Sequence, residues 1–117
     1  KIKRALENSF MLATLYECEV DSETGAIGET ASGRLLGCAR ATSDHVFNAT
    51  LWDIIVDPEY QGRGLGKALV QEMIRAILSR DVANVTLFAD QDVVPFYRAL
   101  GFVQDPEGIK GMFRCST

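Results

Sequence analysis

A mixed α/β fold with a largely antiparallel sheet is the class that three features of the sequence predict. Strand-like segments at about Phe10 to Val20, Arg34 to Ala41 and Ala49 to Val56 follow one another with only loops between them. The stretch from Leu65 through about Leu78 then sets Leu65, Leu69, Met73, Ala76 and Ile77 at the spacing of one buried helical face. Between the third strand and this helix, LWDIIVDPEYQGRGLGK (51–67) compresses a strand, a glycine-rich elbow and a helix start.

The remaining elements fall into place around these. Lys1 to about Asn8 reads as the end of a helix leading into the first strand. Asp21 to Gly33 is rich in Gly, Ser, Thr and acidic residues, which marks a flexible hairpin loop with no core of its own. After the long helix, Asp81 to Asn84 turns the chain into a further strand, Val85 to Ala89. A short helix follows, and Phe102–Gln104 and Met112–Cys115 are expected as terminal strands around the DPEGIKG turn. The expected order is β-β-β-α-β-α-β-β, without repeats or linkers.

At 117 residues the chain is long enough for one core and is read as a single domain, 1–117. Apolar residues make up 47%, and no stretch approaches the length of a membrane span. The net charge of −4 argues against nucleic acid as a partner and weakly favours cationic substrates. Cys18, Cys38 and Cys115 are widely spaced and odd in number, so neither a disulfide framework nor a metal site is expected. His45, the lone histidine, is expected in a turn.

The elbow is the part of the chain that carries chemistry. A strand, a glycine turn and a helix start present several free backbone N–H groups to one anion. Glycines serve there because side chains block close approach and because such turns call for positive φ. A triphosphate P-loop needs a glycine five residues before Gly-Lys and a Ser or Thr after it; here those positions hold Gln61 and Ala68. A dinucleotide fingerprint counted from Gly62 needs glycine where Lys67 stands. What fits is Gln-x-x-Gly-x-Gly, filled by Gln61, Gly64 and Gly66. Its alternative is a turn that merely joins a strand to a helix.

This loop resembles the acetyl-CoA pyrophosphate loop of the GNAT superfamily of N-acetyltransferases. Phe96, Tyr97, Gly101 and Phe102 add a second, later signature, Phe-Tyr-x-x-x-Gly-Phe. From about Leu6 to Phe113 the chain looks very like the plant and cyanobacterial serotonin N-acetyltransferase group, which also includes plastid protein N-acetyltransferases. The stretches Ala39–Asn48 and Asp105–Phe113 carry that narrower likeness. The resemblance implies a GNAT fold with splayed central strands. It also implies a strand and helix ahead of the first helical stretch, so that the chain starts inside that region and any transit peptide would lie before it. Plastid localisation is implied for a plant or algal source, and a cytoplasmic one for a cyanobacterium.

Carried over residue by residue, the resemblance implies that Ile54, Ile55 and Val56 bind the pantetheine amides of acetyl-CoA through backbone groups. Gln61, Gly62, Arg63, Gly64, Leu65, Gly66 and Lys67 would hold the pyrophosphate at the helix start. For Arg63 and Lys67 the alternative is a solvated surface cation. Phe96 and Tyr97 complete the expected cofactor contacts, and Tyr97 is the expected general acid for the leaving thiolate. Its alternative is core packing beside Phe96.

The base is open between two residues. The histidines that vertebrate arylalkylamine acetyltransferases place on the central strand align with Thr50 and Trp52, so that base is absent. Asp53 and Asp90 remain as catalytic or substrate-binding candidates. An aspartate with a pKa of about 4 needs desolvation or an intervening water to serve an amine. Asp92 fits the role of helix N-cap, with Pro95 in the first turn, which leaves Asp90 for chemistry. Asn84 is a weaker candidate, to orient a water or substrate. Phe47, Trp52 and Phe88 would stack on an indole, with core packing as the alternative.

The function expected is direct acetyl transfer from acetyl-CoA to serotonin, tryptamine or a related amine, without a metal. Lysine side chains or protein N-termini are the alternative acceptors, and a non-catalytic acyl-CoA-binding module is the third reading. No membrane partner is expected, and the oligomeric state is either monomer or homodimer.

Overall fold

The computed structural model describes residues 1–18 and 33–114. The expected hairpin loop at 21–32 and Cys115 lie outside the described residues. The chain divides into two compact units, Lys1–Leu87 and Phe88–Thr117.

In the first unit, helix α1 (Ile2–Glu7) leads through strands β1 (Met11–Tyr16), β2 (Leu35–Ser43) and β3 (Asn48–Val56) to a 3₁₀ turn at Pro58–Tyr60. Helix α2 (Leu65–Ser79) and strand β4 (Asn84–Leu87) complete it. The four strands form one sheet in the order β1-β2-β3-β4. The first two pairings are antiparallel and β3–β4 is parallel. A parallel neighbour requires a crossover, and α2 supplies it.

Alternation along the strands explains which sheet face α2 covers. Ala39 and Ala41 of β2 and Ala49 and Leu51 of β3 are buried, as are Leu69, Val70, Met73 and Ile77 of α2. Alanine at three of these strand positions lets the helix lie close on the sheet, and its four larger side chains fill the layer between. The expected helical stripe is present at Leu69, Met73 and Ile77. Leu65 and Ala76 are only half-buried, and Val70 joins the core instead.

The second unit holds a 3₁₀ turn (Gln91–Val93) and helix α3 (Val94–Ala99). Pro95 sits in the first turn of α3, as expected, but Asp92 does not cap it. Val93 holds the cap position and Asp92 lies inside the preceding 3₁₀ turn. The late glycine signature has a clear backbone cause. Phe102 N–H donates to Tyr97 O at 3.1 Å and Gly101 N–H to Arg98 O at 3.1 Å, with Gly101 at φ 98°. This is a Schellman ending, in which the residue after the helix turns left-handed and the next apolar residue folds back. Phe102 folds back on Tyr97, their ring centroids 5.8 Å apart.

The expected terminal strands at 102–104 and 112–114 do not form. Only their turn does: Asp105 accepts from Ile109 N–H through its side chain and from Gly108 N–H through its backbone carbonyl. Strands need a partner ladder for their backbone groups, and neither segment has one among the described residues. Val103 and Met112 are accordingly 84% and 93% exposed.

Gly101→Ala is expected to loosen α3 by about 1–2 kcal/mol, the cost of a left-handed Cβ-bearing residue. Open space around the position makes that cost purely conformational. Amide exchange at Gly101 and Phe102, compared with the core of α2, is the measurement.

Candidate functional site

Strand β3 is paired unequally on its two sides. β2 accompanies it as far as Val56, but β4 pairs only with Asn48–Leu51. From Trp52 onward, no described strand lies in register on the β4 side. Asp57 N–H donates to Leu36 O at 2.7 Å, so the other end of that peptide, Val56 C=O, points to the open edge. There it accepts from Gln61 Nε2 at 3.0 Å.

A bulge precedes this edge. Cys38 pairs with Ile55 and Arg40 with Trp52, so Ala39 alone opposes both Asp53 and Ile54. Asp53 is left-handed, φ 53°, and Arg40 Nε donates to its Oδ2 at 2.9 Å. Gly37 admits no side chain, because a Cβ there would lie 2.8 Å from Ile55 O.

The elbow is braced from outside by a residue that sequence reasoning missed. Asp57 Oδ1 accepts from Glu59 N–H, capping the 3₁₀ turn, while Arg34 reaches Asp57 Oδ2 at 2.8 Å and Glu59 Oε2 at 3.3 Å. Asp57 and then Glu59 push the Arg34 pKa up. Its only sequence signal is a basic residue opening the strand before β3.

Beyond the brace, Gly62 and Gly64 take φ 80° and 79°, and no atom would crowd a Cβ at either. Backbone conformation therefore accounts for these two glycines. Gly64 precedes α2 without any side-chain cap, which leaves the first-turn N–H groups and the positive end of the helix dipole facing outward. Arg63 stacks over Tyr60, 5.0 Å from the ring centroid, and Lys67 is exposed in the first turn of α2.

A polar ladder runs along the sheet face away from α2. Asn84 Nδ2 donates to Asn48 Oδ1 at 2.9 Å, Asn48 Nδ2 bonds Thr50 and Thr86, and the two threonine hydroxyls lie 2.9 Å apart. Trp52 Nε1 donates to Thr42 at 2.8 Å. Thr42, Ser43, Asp44, Asn48 and Thr50 line an open concavity of about 480 Å³. Asp44 accepts backbone N–H bonds from Val46, Phe47 and Asn48, which hold its pKa below the usual carboxylate range. This rigid turn also carries His45, at φ 72°, and leaves Phe47 77% exposed.

In the second unit, Asp90 is exposed at the cap position of the 3₁₀ turn and makes no side-chain cap bond. Tyr97 is half-buried between Phe96 and Phe102, and desolvation pushes its pKa up. Phe88 meets Phe113 edge to face at 6.0 Å. Thus Asn84 joins Asn48 and the threonines, and Asp53 joins Arg40. Asp90, Phe96 and Tyr97 belong to the second unit. No group of three or more metal-ligating side chains occurs among the described residues.

Fold-level comparison places this arrangement among acetyltransferase structures. A Staphylococcus aureus protein described as a probable acetyltransferase superposes with a TM-score of 0.75 at 22% identity, covering 98% of this chain and 77% of its own. The chain belongs to the acetyltransferase (GNAT) family, whose model matches residues 3–102. It is 58% identical to GCN5-related N-acetyltransferase 2, chloroplastic, of Arabidopsis thaliana over 97% of this chain and 46% of the relative. Similarity to histone acetyltransferase TAP1 of Glycine max is also 58%, over 97% and 48% of the two chains. Serotonin N-acetyltransferase 2, chloroplastic, of rice (Oryza sativa subsp. japonica) is 40% identical over 96% and 51%. The chain therefore spans about half the length of these relatives.

Asp44→Asn should reveal the turn's electrostatics. A carboxylate with a depressed folded-state pKa contributes stability above its unfolded pKa of about 4 and loses it as pH falls through the lower folded value. The melting-temperature gap between the native chain and Asp44→Asn should be full at neutral pH. It should close as acid protonates the carboxylate below the usual aspartate range.

Proposed function

We propose that the chain forms the catalytic part of an acetyl-CoA-dependent N-acetyltransferase, with a serotonin- or tryptamine-like primary amine as acceptor. The observation that carries the reading is the glycine elbow opening onto an uncapped α2, directly after the half-open edge of β3. That order suits a long ligand with a diphosphate in its middle and amides along one arm. In this reading Gln61–Lys67 hold the diphosphate and Ile54 and Val56 offer open-edge backbone groups to the pantetheine amides, while those of Ile55 face β2.

The amine nitrogen attacks the thioester carbonyl, the C–S bond breaks, and the thiolate leaves. Tyr97, kept protonated by its raised pKa, is the proposed proton donor to the sulfur. Asp90, exposed and without a cap bond, is the proposed base, taking the amine proton through water. Asp53 is already paired with Arg40. Asn84 is held by Asn48, so its proposed part is to orient polar groups along the ladder.

The indole-amine acceptor is supported by the likeness to the rice serotonin enzyme and by three exposed or half-exposed aromatics, Phe47, Trp52 and Phe88. A second reading, acetylation of protein lysines or N-termini, is favoured by the higher identity to the soybean histone enzyme. Relatives named chloroplastic support a plastid location.

CoA-thiol release, with serotonin and a lysine peptide offered in parallel, tests these readings. Preferential turnover of serotonin is the expected result, turnover of peptide alone moves the acceptor to protein, and CoA binding without turnover makes the chain a binding module. Tyr97→Phe is expected to lower kcat about 10²-fold or more. The alkaline limb of the native pH profile, above about pH 10, should vanish with it.

A further inference from the structure

We propose that the Arg40–Asp53 ion pair is a positioning device that fixes which backbone groups of β3 face the acyl donor; the inference rests on the acetyl-CoA reading above. The bulge shifts the alternation of β3 by one residue. Beyond it, Asp57 N–H turns to Leu36 and Val56 C=O turns to the open edge. Without the bulge the register beyond it would shift by one residue and exchange the two edges, giving the open side the groups of Ile55 and turning those of Val56 into the sheet. Which amides a ligand meets on that edge is therefore set at Asp53.

Asp53 holds this register in a left-handed conformation that side-chain-bearing residues adopt at a cost. Arg40 is placed to stabilise it. It leaves β2 beside the bulge, its side chain is only 21% exposed, and its Nε lies 2.9 Å from Asp53 Oδ2. Nη1 reaches Ser9 Oγ at 3.4 Å, and that hydroxyl donates to Ala5 O at 2.7 Å. The guanidinium thus ties the bulge to the segment joining α1 to β1. Arg40 acts through Asp53 backbone geometry and is a positioning residue.

The test compares Arg40→Ala, Arg40→Lys, Asp53→Ala, Asp53→Gly and Asp53→Asn by acetyl-CoA dissociation constant, KM, kcat and melting temperature. Arg40→Ala is expected to raise the acetyl-CoA dissociation constant and KM about tenfold while changing kcat less than about threefold. Arg40→Lys should recover part of that loss. Asp53→Gly, which accepts positive φ without a side chain, should bind acetyl-CoA better than Asp53→Ala, and Asp53→Asn better than both. Two results overturn the proposal. One is a drop of about 100-fold in kcat for Asp53→Asn at unchanged acetyl-CoA affinity, which makes Asp53 a base. The other is unchanged affinity in all five variants with lowered melting temperatures, which makes the pair a stability feature alone. Failure of the unsubstituted chain to bind acetyl-CoA overturns the cofactor reading itself, and this inference with it.

Discussion

Strand β3 has to satisfy two different neighbours, and most of the first unit follows from how it does so. Against β2 it is paired over nearly its whole length; against β4 it is paired for four residues. A central strand with one long and one short partner keeps a stretch of backbone polar groups that the sheet does not use. Such groups are expensive to leave unmet. Gln61 reaches back to Val56 C=O, so the elbow that follows the strand also meets one of the strand's unfilled acceptors. The same side-chain bond draws the beginning of the glycine turn toward the strand it came from.

Two kinds of force hold the elbow, and they act on different parts of it. Arg34 and Glu59 are exposed and Asp57 is half-buried in the charge cluster around the 3₁₀ turn, where solvent at the guanidinium screens each pair and keeps it modest. Past Tyr60 the constraint becomes conformational, because Gly62 and Gly64 take dihedrals that other residues resist. Charge fixes where the turn starts and backbone freedom fixes how it ends. The uncapped N-terminus of α2 is the outcome of both.

Legibility from the sequence followed the same division. The elbow, α2 and the strands of the first unit were readable because glycine spacing and apolar periodicity record backbone demands directly. The Asp53 bulge was hidden, since nothing in LWDIIV distinguishes a left-handed aspartate from an ordinary outward-facing one. Arg34 and Arg40 were missed for a related reason: their partners lie 23 and 13 residues away, and pairing at that separation leaves no local pattern. Short apolar runs at 102–104 and 112–114 looked like strands, but β-structure depends on a neighbour that composition does not report. Asp92 has the chemistry of a cap, yet the intervening 3₁₀ turn moves the start of α3 past it. In the candidate site, the positions of the elbow glycines were legible and the partners of Asp53 and Asp57 were not.

The alanines at 39, 41 and 49 have a consequence for what the sheet can afford to vary. Alanine has no side-chain rotamers to freeze, so this layer orders at almost no side-chain entropy cost. It also contributes little shape of its own. The steric code of the core is thus written mainly on one helix, in Leu69, Val70, Met73 and Ile77, with Leu36 and Leu51 as the larger side chains that the strands add. Mutational pressure to keep the interior well packed falls chiefly on α2, and the strands opposite remain available to be shaped by the groups along their edges.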